Sequence, residues 1–118
     1  MRRKIAKTDG LEAIAAYLSG TASDAVVATA VRFLLEELGT IHPGNAVEVR
    51  VPPFGAVQCI EGPTHTRGTP ANVVEMDPTS WIDLALGKSS FEELSVTGKL
   101  TASGSRSDLA GLFPIFIP

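Results

Sequence analysis

Cysteine is almost missing from this chain. Cys59 stands alone, so no internal disulfide can form, which fits a reducing compartment. Long apolar runs are missing too. None approaches the about 20 residues that span a bilayer. No apolar core of about 7–15 residues follows the basic start Arg2-Arg3-Lys4, as a secretory signal would require. We therefore expect a cytoplasmic protein with no stable membrane insertion. Basic charge is also scarce. The net charge of −3 and the lack of a basic stripe beyond the first residues argue against nucleic acid as a partner. His42 and His65 lie far apart, with no cysteine at metal-ligand spacing, so we expect no metal and no cofactor. Repeats and low-complexity tracts are absent.

What remains is a globular composition. Apolar residues make up 44% and charged residues 19% of 118 residues, enough to bury a core without disulfides or metals. Residues 1–10 read as a flexible N-terminus and residues 11–118 as one domain. Leu11, Ile14, Ala15 and Leu18 recur at helical spacing after Asp9, and Gly20 ends the pattern. A second helix follows a cap at Thr21 or Ser23. Its stripe is Val27, Ala30, Val31, Leu34, Leu35 and Leu38; Arg32, Glu36 and Glu37 face elsewhere, and Gly39 closes it.

The middle of the chain alternates with period two. Val47, Val49 and Val51 point one way, Glu48 and Arg50 the other, and Pro52-Pro53-Phe54-Gly55 turns the chain. Strands are predicted over 46–51, 56–61 and 72–76. The turns between them are too short for parallel crossovers, so an antiparallel sheet is expected. Asp77-Pro78 opens a short helix, Ser90-Phe91-Glu92-Glu93 is a capping box, residues 99–103 form a strand, and Ser105 or Ser107 caps a final helix. This order gives an α+β domain, a mainly antiparallel sheet with helices packed on one face.

The run Val74-Glu75-Met76-Asp77-Pro78-Thr79-Ser80-Trp81, then Leu84, Gly87, Phe91 and Leu94, then Gly98-Lys99-Leu100-Thr101-Ala102-Ser103-Gly104, resembles the sterol-carrier-protein fold. Asp108-Leu109 with Leu112 and Pro114 resembles that fold's final segment. The motif Val49-Arg50-Val51-Pro52-Pro53-Phe54-Gly55, continuing through His65-Thr66-Arg67-Gly68, looks like a group of small bacterial sterol-carrier-like proteins. Similarity from Trp81 to Gly104 extends to the C-terminal domain of mycothiol-dependent maleylpyruvate isomerases. This chain lacks the metal-binding bundle of those enzymes, so their activity does not carry over. The resemblance implies a five-stranded sheet backed by helices, with an apolar tunnel between them for sterols, fatty acids or acyl groups.

On that reading the candidate ligand-binding residues fall into two sets. Thr64, His65, Thr66 and Arg67 would grip a polar head in the loop between the second and third strands. Arg67 could instead pin that loop by pairing with Glu61, Glu75 or a chain terminus. Phe54, Trp81, Phe91, Leu109 and Phe113 would line the apolar part; lining and core look alike in sequence. Cys59 reads as a buried thiol, with no oxyanion hole or third partner to make it a nucleophile. The tail Pro114-Ile115-Phe116-Ile117-Pro118 would be sticky if free, so it should cover the ligand site or form a homodimer interface. The function expected is a non-catalytic carrier of an apolar or amphipathic small molecule. The alternative is a structural protein with a self-filled core that dimerises or binds a partner through its tail.

Overall fold

A computed structural model describes residues 4–62 and 72–118. The fold is α+β, as expected. Helix α1 (Lys7–Ser19) packs on α2 (Asp24–Ile41), strands β1 (Val47–Val51), β2 (Gly55–Cys59) and β3 (Val73–Met76) follow, and α3 (Pro78–Leu86) and α4 (Phe91–Val96) lead to β4 (Leu100–Ser103).

Helix α1 begins earlier than the sequence suggests. Residues 7–10, read as part of a loose tail, form its first turn. Asp9 is not the cap; Ala6 holds that position and supplies no side-chain hydrogen bond. Gly10, a weak helix former, is there for packing. A Cβ on it would sit 2.3 Å from the ring of Phe33 on α2. The missing side chain lets the two helices close up, and that contact overrides intrinsic propensity. Gly20 ends α1 in the left-handed conformation, at φ 77°.

Ser23 is the cap of α2, its hydroxyl accepting from the Val26 N–H. Gly39 does not close the helix. It is buried within the last turns, and α2 runs on to Ile41, where His42 caps it by donating its N–H to the Leu38 carbonyl. Nor does Glu36 face solvent: it is buried, 6% exposed. The apolar stripe was read correctly, but α2 is wrapped beyond it.

The sheet corrects the expectation most. Among the described residues it has four strands, not five, in the order β2-β1-β3-β4, and it is mixed. β1 pairs antiparallel with β2 and β3 with β4, whereas β1 and β3 run parallel. No crossover is needed. Val47 faces Cys59 and Glu48 faces Val73, so β2 ends and β3 begins at the same end of the sheet. β3 lies on the side of β1 away from β2. Two reversals thus leave β1 and β3 pointing the same way. Turn length constrains consecutive strands, and these two are not consecutive.

One face of the sheet is dry. Val47, Val49, Val51, Val57, Cys59, Val74 and Met76 are buried, while Glu75, Gln58 and Thr101 on the other face are exposed. The buried face meets Phe33, Leu34, Leu38, Trp81, Ile82 and Leu84 in one core. At the sheet's lower end, buried Asn72 donates to the Ala46 carbonyl (2.9 Å) and accepts from the Arg106 N–H (2.8 Å), tying three segments together. Gly44 is obligatory there: at φ 144°, a Cβ would lie 1.8 Å from the Ile60 carbonyl oxygen.

The last third follows its caps. Asp77 accepts from the Ser80 N–H, Gly87 ends α3 at φ 83°, and Ser90 with Glu93 completes the capping box of α4. Burial raises the Asp77 pKa, but the hydrogen bonds from Ser80 outweigh it and hold the carboxyl below its ordinary value. The expected final helix is only a 3₁₀ turn at Ala110–Leu112; Gly111 within it and Pro114 just after leave no room for an α-helical run.

The Gly10–Phe33 contact is testable. Gly10→Ala gains up to about 1 kcal/mol of helix propensity but forces a clash costing about 1–3 kcal/mol. We expect net destabilisation in urea unfolding, relieved by the double substitution Gly10→Ala with Phe33→Leu.

Candidate functional site

Three of the expected lining residues meet. Trp81 from α3 is fully buried, and its indole N–H donates to the Val31 carbonyl on α2 (3.2 Å). Phe113, after the 3₁₀ turn, sets its ring edge-on to Trp81 at 5.9 Å and stacks with Phe91 of α4 at 6.5 Å. These three rings sit between α3, α4 and the C-terminal segment. Leu109 is buried in the core. Phe54 is not part of the group. It lies in the β1–β2 turn beneath the Arg32 guanidinium, and its carbonyl accepts from Arg32 Nε (2.9 Å). It clamps the turn to α2. Thr64, His65, Thr66 and Arg67 lie outside the described residues.

Residues 113–116 cross the end of α3. The N–H groups of Ile115 (3.0 Å) and Phe116 (3.2 Å) both donate to the Ala85 carbonyl. Phe116 meets Phe33 edge-on at 6.1 Å. Ile117 is 82% exposed, so the apolar tail is only partly covered by its own chain. Beside the crossing is a cleft of about 320 Å³, walled by Leu84, Phe91, Ala110, Phe113 and Pro114 and rimmed by Lys88, Ser90 and Glu93. It opens to solvent. The largest side chains between helices and sheet are themselves fully buried, so the interior is occupied by the protein's own residues.

Two polar features escaped sequence reasoning. Glu36 Oε1 accepts the backbone N–H groups of Lys4 (2.9 Å) and Ile5 (3.1 Å). An acid at the edge of a helical stripe, here one of the pair Glu36-Glu37, carries no sequence signal of burial. Tyr17 donates to Asp83 (2.8 Å), joining α1 to α3; burial first, then the adjacent carboxylate, push its pKa upward. On the wet sheet face Arg50 pairs with Glu48, with Glu75 beside it in register on β3. Among the described residues, no three His, Cys, Asp or Glu side chains are grouped to hold a metal, and no helix is long and apolar enough to cross a membrane.

Residues 23–115 match a family described as bacterial SCP ortholog. No curated protein matches the chain.

Cys59 can be tested directly. Burial pushes its thiol pKa up to about 11, so little thiolate exists at neutral pH. We expect no reaction with a disulfide reagent at pH 8 in the folded protein and one equivalent in denaturant. A fast native reaction would revive a nucleophilic role.

Proposed function

The chain belongs to the bacterial SCP ortholog family, and from that premise we propose that it is a non-catalytic carrier for an apolar or amphipathic small molecule. Family membership alone does not give a ligand. The observation that carries the reading is the fastening of residues 113–116. Two N–H groups on one carbonyl and edge-on aromatic contacts hold this segment beside an aromatic cluster. It can lift without breaking a helix or a sheet ladder.

A ligand needs room that the closed state does not leave between helices and sheet. Lifting residues 113–116 uncovers Trp81 and Phe91 and widens the existing cleft, so an alkyl chain would take the place of Phe113. The exchange swaps one apolar burial for another, which keeps the cost of opening low. Arg67 and His65 stay as proposed head-group contacts, to be tested by substitution. The polar groups named on its rim are Lys88 and the capping pair Ser90 and Glu93 of α4.

The exposed Ile117 favours a second reading, in which the tail joins two copies. One experiment addresses both. The full chain and a chain ending at Leu112 are titrated with a dansyl-labelled fatty acid, read by energy transfer from Trp81, the sole tryptophan. We expect uptake by the full chain and binding about tenfold tighter, near 1.4 kcal/mol, once the competing segment is removed. No uptake by either chain would defeat the carrier reading. Light scattering that shows a dimer only for the full chain would support the second.

A further inference from the structure

Helix α1 buries one side and leaves a second apolar line uncovered. Gly10, Ala13 and Ile14 are its buried residues. Leu11, Ala15 and Leu18 follow one another at helical spacing and so share a different face. All three are exposed, Leu11 by 37% and Leu18 by 41%. They line neither the C-terminal cleft nor the depression between α1 and α2. The line is therefore a ridge, which suits another helix rather than a small molecule. The helix that carries it is firmly seated. Tyr17 ties α1 to Asp83 of α3, and Gly10 rests on Phe33 of α2.

The ridge is complementary to itself. A two-fold axis between positions 14 and 15 sets Leu11 of each copy opposite Leu18 of the other. Ala15 lies beside that axis, and its small side chain lets the two helices approach closely.

Charge favours the same arrangement. The charged residues of α1 are Lys7, Asp9 and Glu12, all in its first half, while residues 13–19 carry none. An antiparallel pair lays each charged half on a neutral half. A parallel pair would set Asp9 and Glu12 beside their own copies. Lys7 adds direction. It stands in the first turn, at the positive end of its own helix, and makes no ion pair among the described residues. The last turn of α1 has no base to complement its negative end. In the antiparallel pair Lys7 of one copy reaches that end of the other, next to the exposed Asp24.

We propose that this face of α1 docks on the same face of a second copy of the chain, antiparallel about a two-fold axis. The interface is small. A helix of 13 residues is about 20 Å long, so one helix pair falls short of the about 800 Å² per partner of a standard interface. The dimer is accordingly weak, with a Kd in roughly the micromolar range. It does not depend on the carrier reading, and it differs from a dimer joined by the tail, because Ile117 has no place in the ridge.

The test is sedimentation velocity of the full chain from roughly micromolar to millimolar concentration. We expect a monomer–dimer equilibrium within that range. Leu11→Glu and Leu18→Lys should each weaken it at least about tenfold, because each sets a charge against a leucine. The double substitution Leu11→Glu with Leu18→Lys should recover the dimer in a salt-sensitive form, since the register puts these two positions opposite each other. Ile117→Ser should leave it unchanged. Circular dichroism checks that each variant keeps its fold, which the exposed positions favour. Absence of association across the range overturns the proposal, and so does a dimer indifferent to both single substitutions. Loss in the single variants without recovery in the double overturns the antiparallel register. A dimer lost only with Ile117→Ser belongs to the tail and not to α1.

Discussion

Helix α2 must satisfy neighbours on nearly every side, and the rest of the domain is arranged around that demand. An α-helix turns about 100° per residue, so consecutive positions address different partners. Val31 offers its carbonyl to Trp81 of α3. Arg32 holds the β1–β2 turn through Phe54. Phe33 lies under Gly10 of α1 and beside Phe116 of the tail. Glu36 takes the N-terminal strap. Residues 31, 32 and 33 point in three directions, Glu36 shares the face of Arg32, and together they locate five separate parts of the chain. A helix so enclosed would ordinarily be apolar all round. Here the enclosure includes a carboxylate, and its burial is tolerable because it is hydrogen-bonded twice.

Local signals carried most of what was legible. The caps Ser23, Asp77 and Ser90 fix helix starts because they satisfy orphan N–H groups within a few residues of themselves. β1 was legible because its one-sided burial imposes period two. What failed was decided at a distance. Gly10 looks like a tail residue until Phe33 is placed against it. Gly39 looks like a stop until the fold buries it. The parallel pairing of β1 and β3 depends on which side of β1 the chain lands, and no turn residue encodes that.

The candidate site shows the same division. Trp81, Phe91 and Phe113 were named as lining and do converge, Trp81 and Phe91 from the capped helices α3 and α4 and Phe113 from the segment after the 3₁₀ turn. Phe54 is equally apolar but belongs to a turn, and it is spent on Arg32 at the other side of α2. Glu36 was read outward because an acid beside a stripe is outward in most helices. Only the strap, far from it in sequence, turns that position inward. A lone carboxylate next to an apolar face therefore becomes informative only once the chain end is seen to reach it.

Both described ends of the chain are fastened in a similar manner. Two consecutive N–H groups converge on one acceptor: Lys4 and Ile5 on Glu36, Ile115 and Phe116 on Ala85. Neither fastening belongs to a helix or a sheet ladder, so each can open without cooperative loss elsewhere. They are not equal, however. Hydrogen bonds between neutral groups contribute about 0.5–1.5 kcal/mol net, and those to a charged acceptor about 1.5–3. The Ala85 carbonyl is neutral, while the Glu36 carboxylate is charged and buried. The C-terminal segment is therefore held by the weaker kind of acceptor and the N-terminal strap by the stronger. Each end thus covers apolar surface from outside a self-filled core, fastened by two hydrogen bonds rather than by a helix or a ladder.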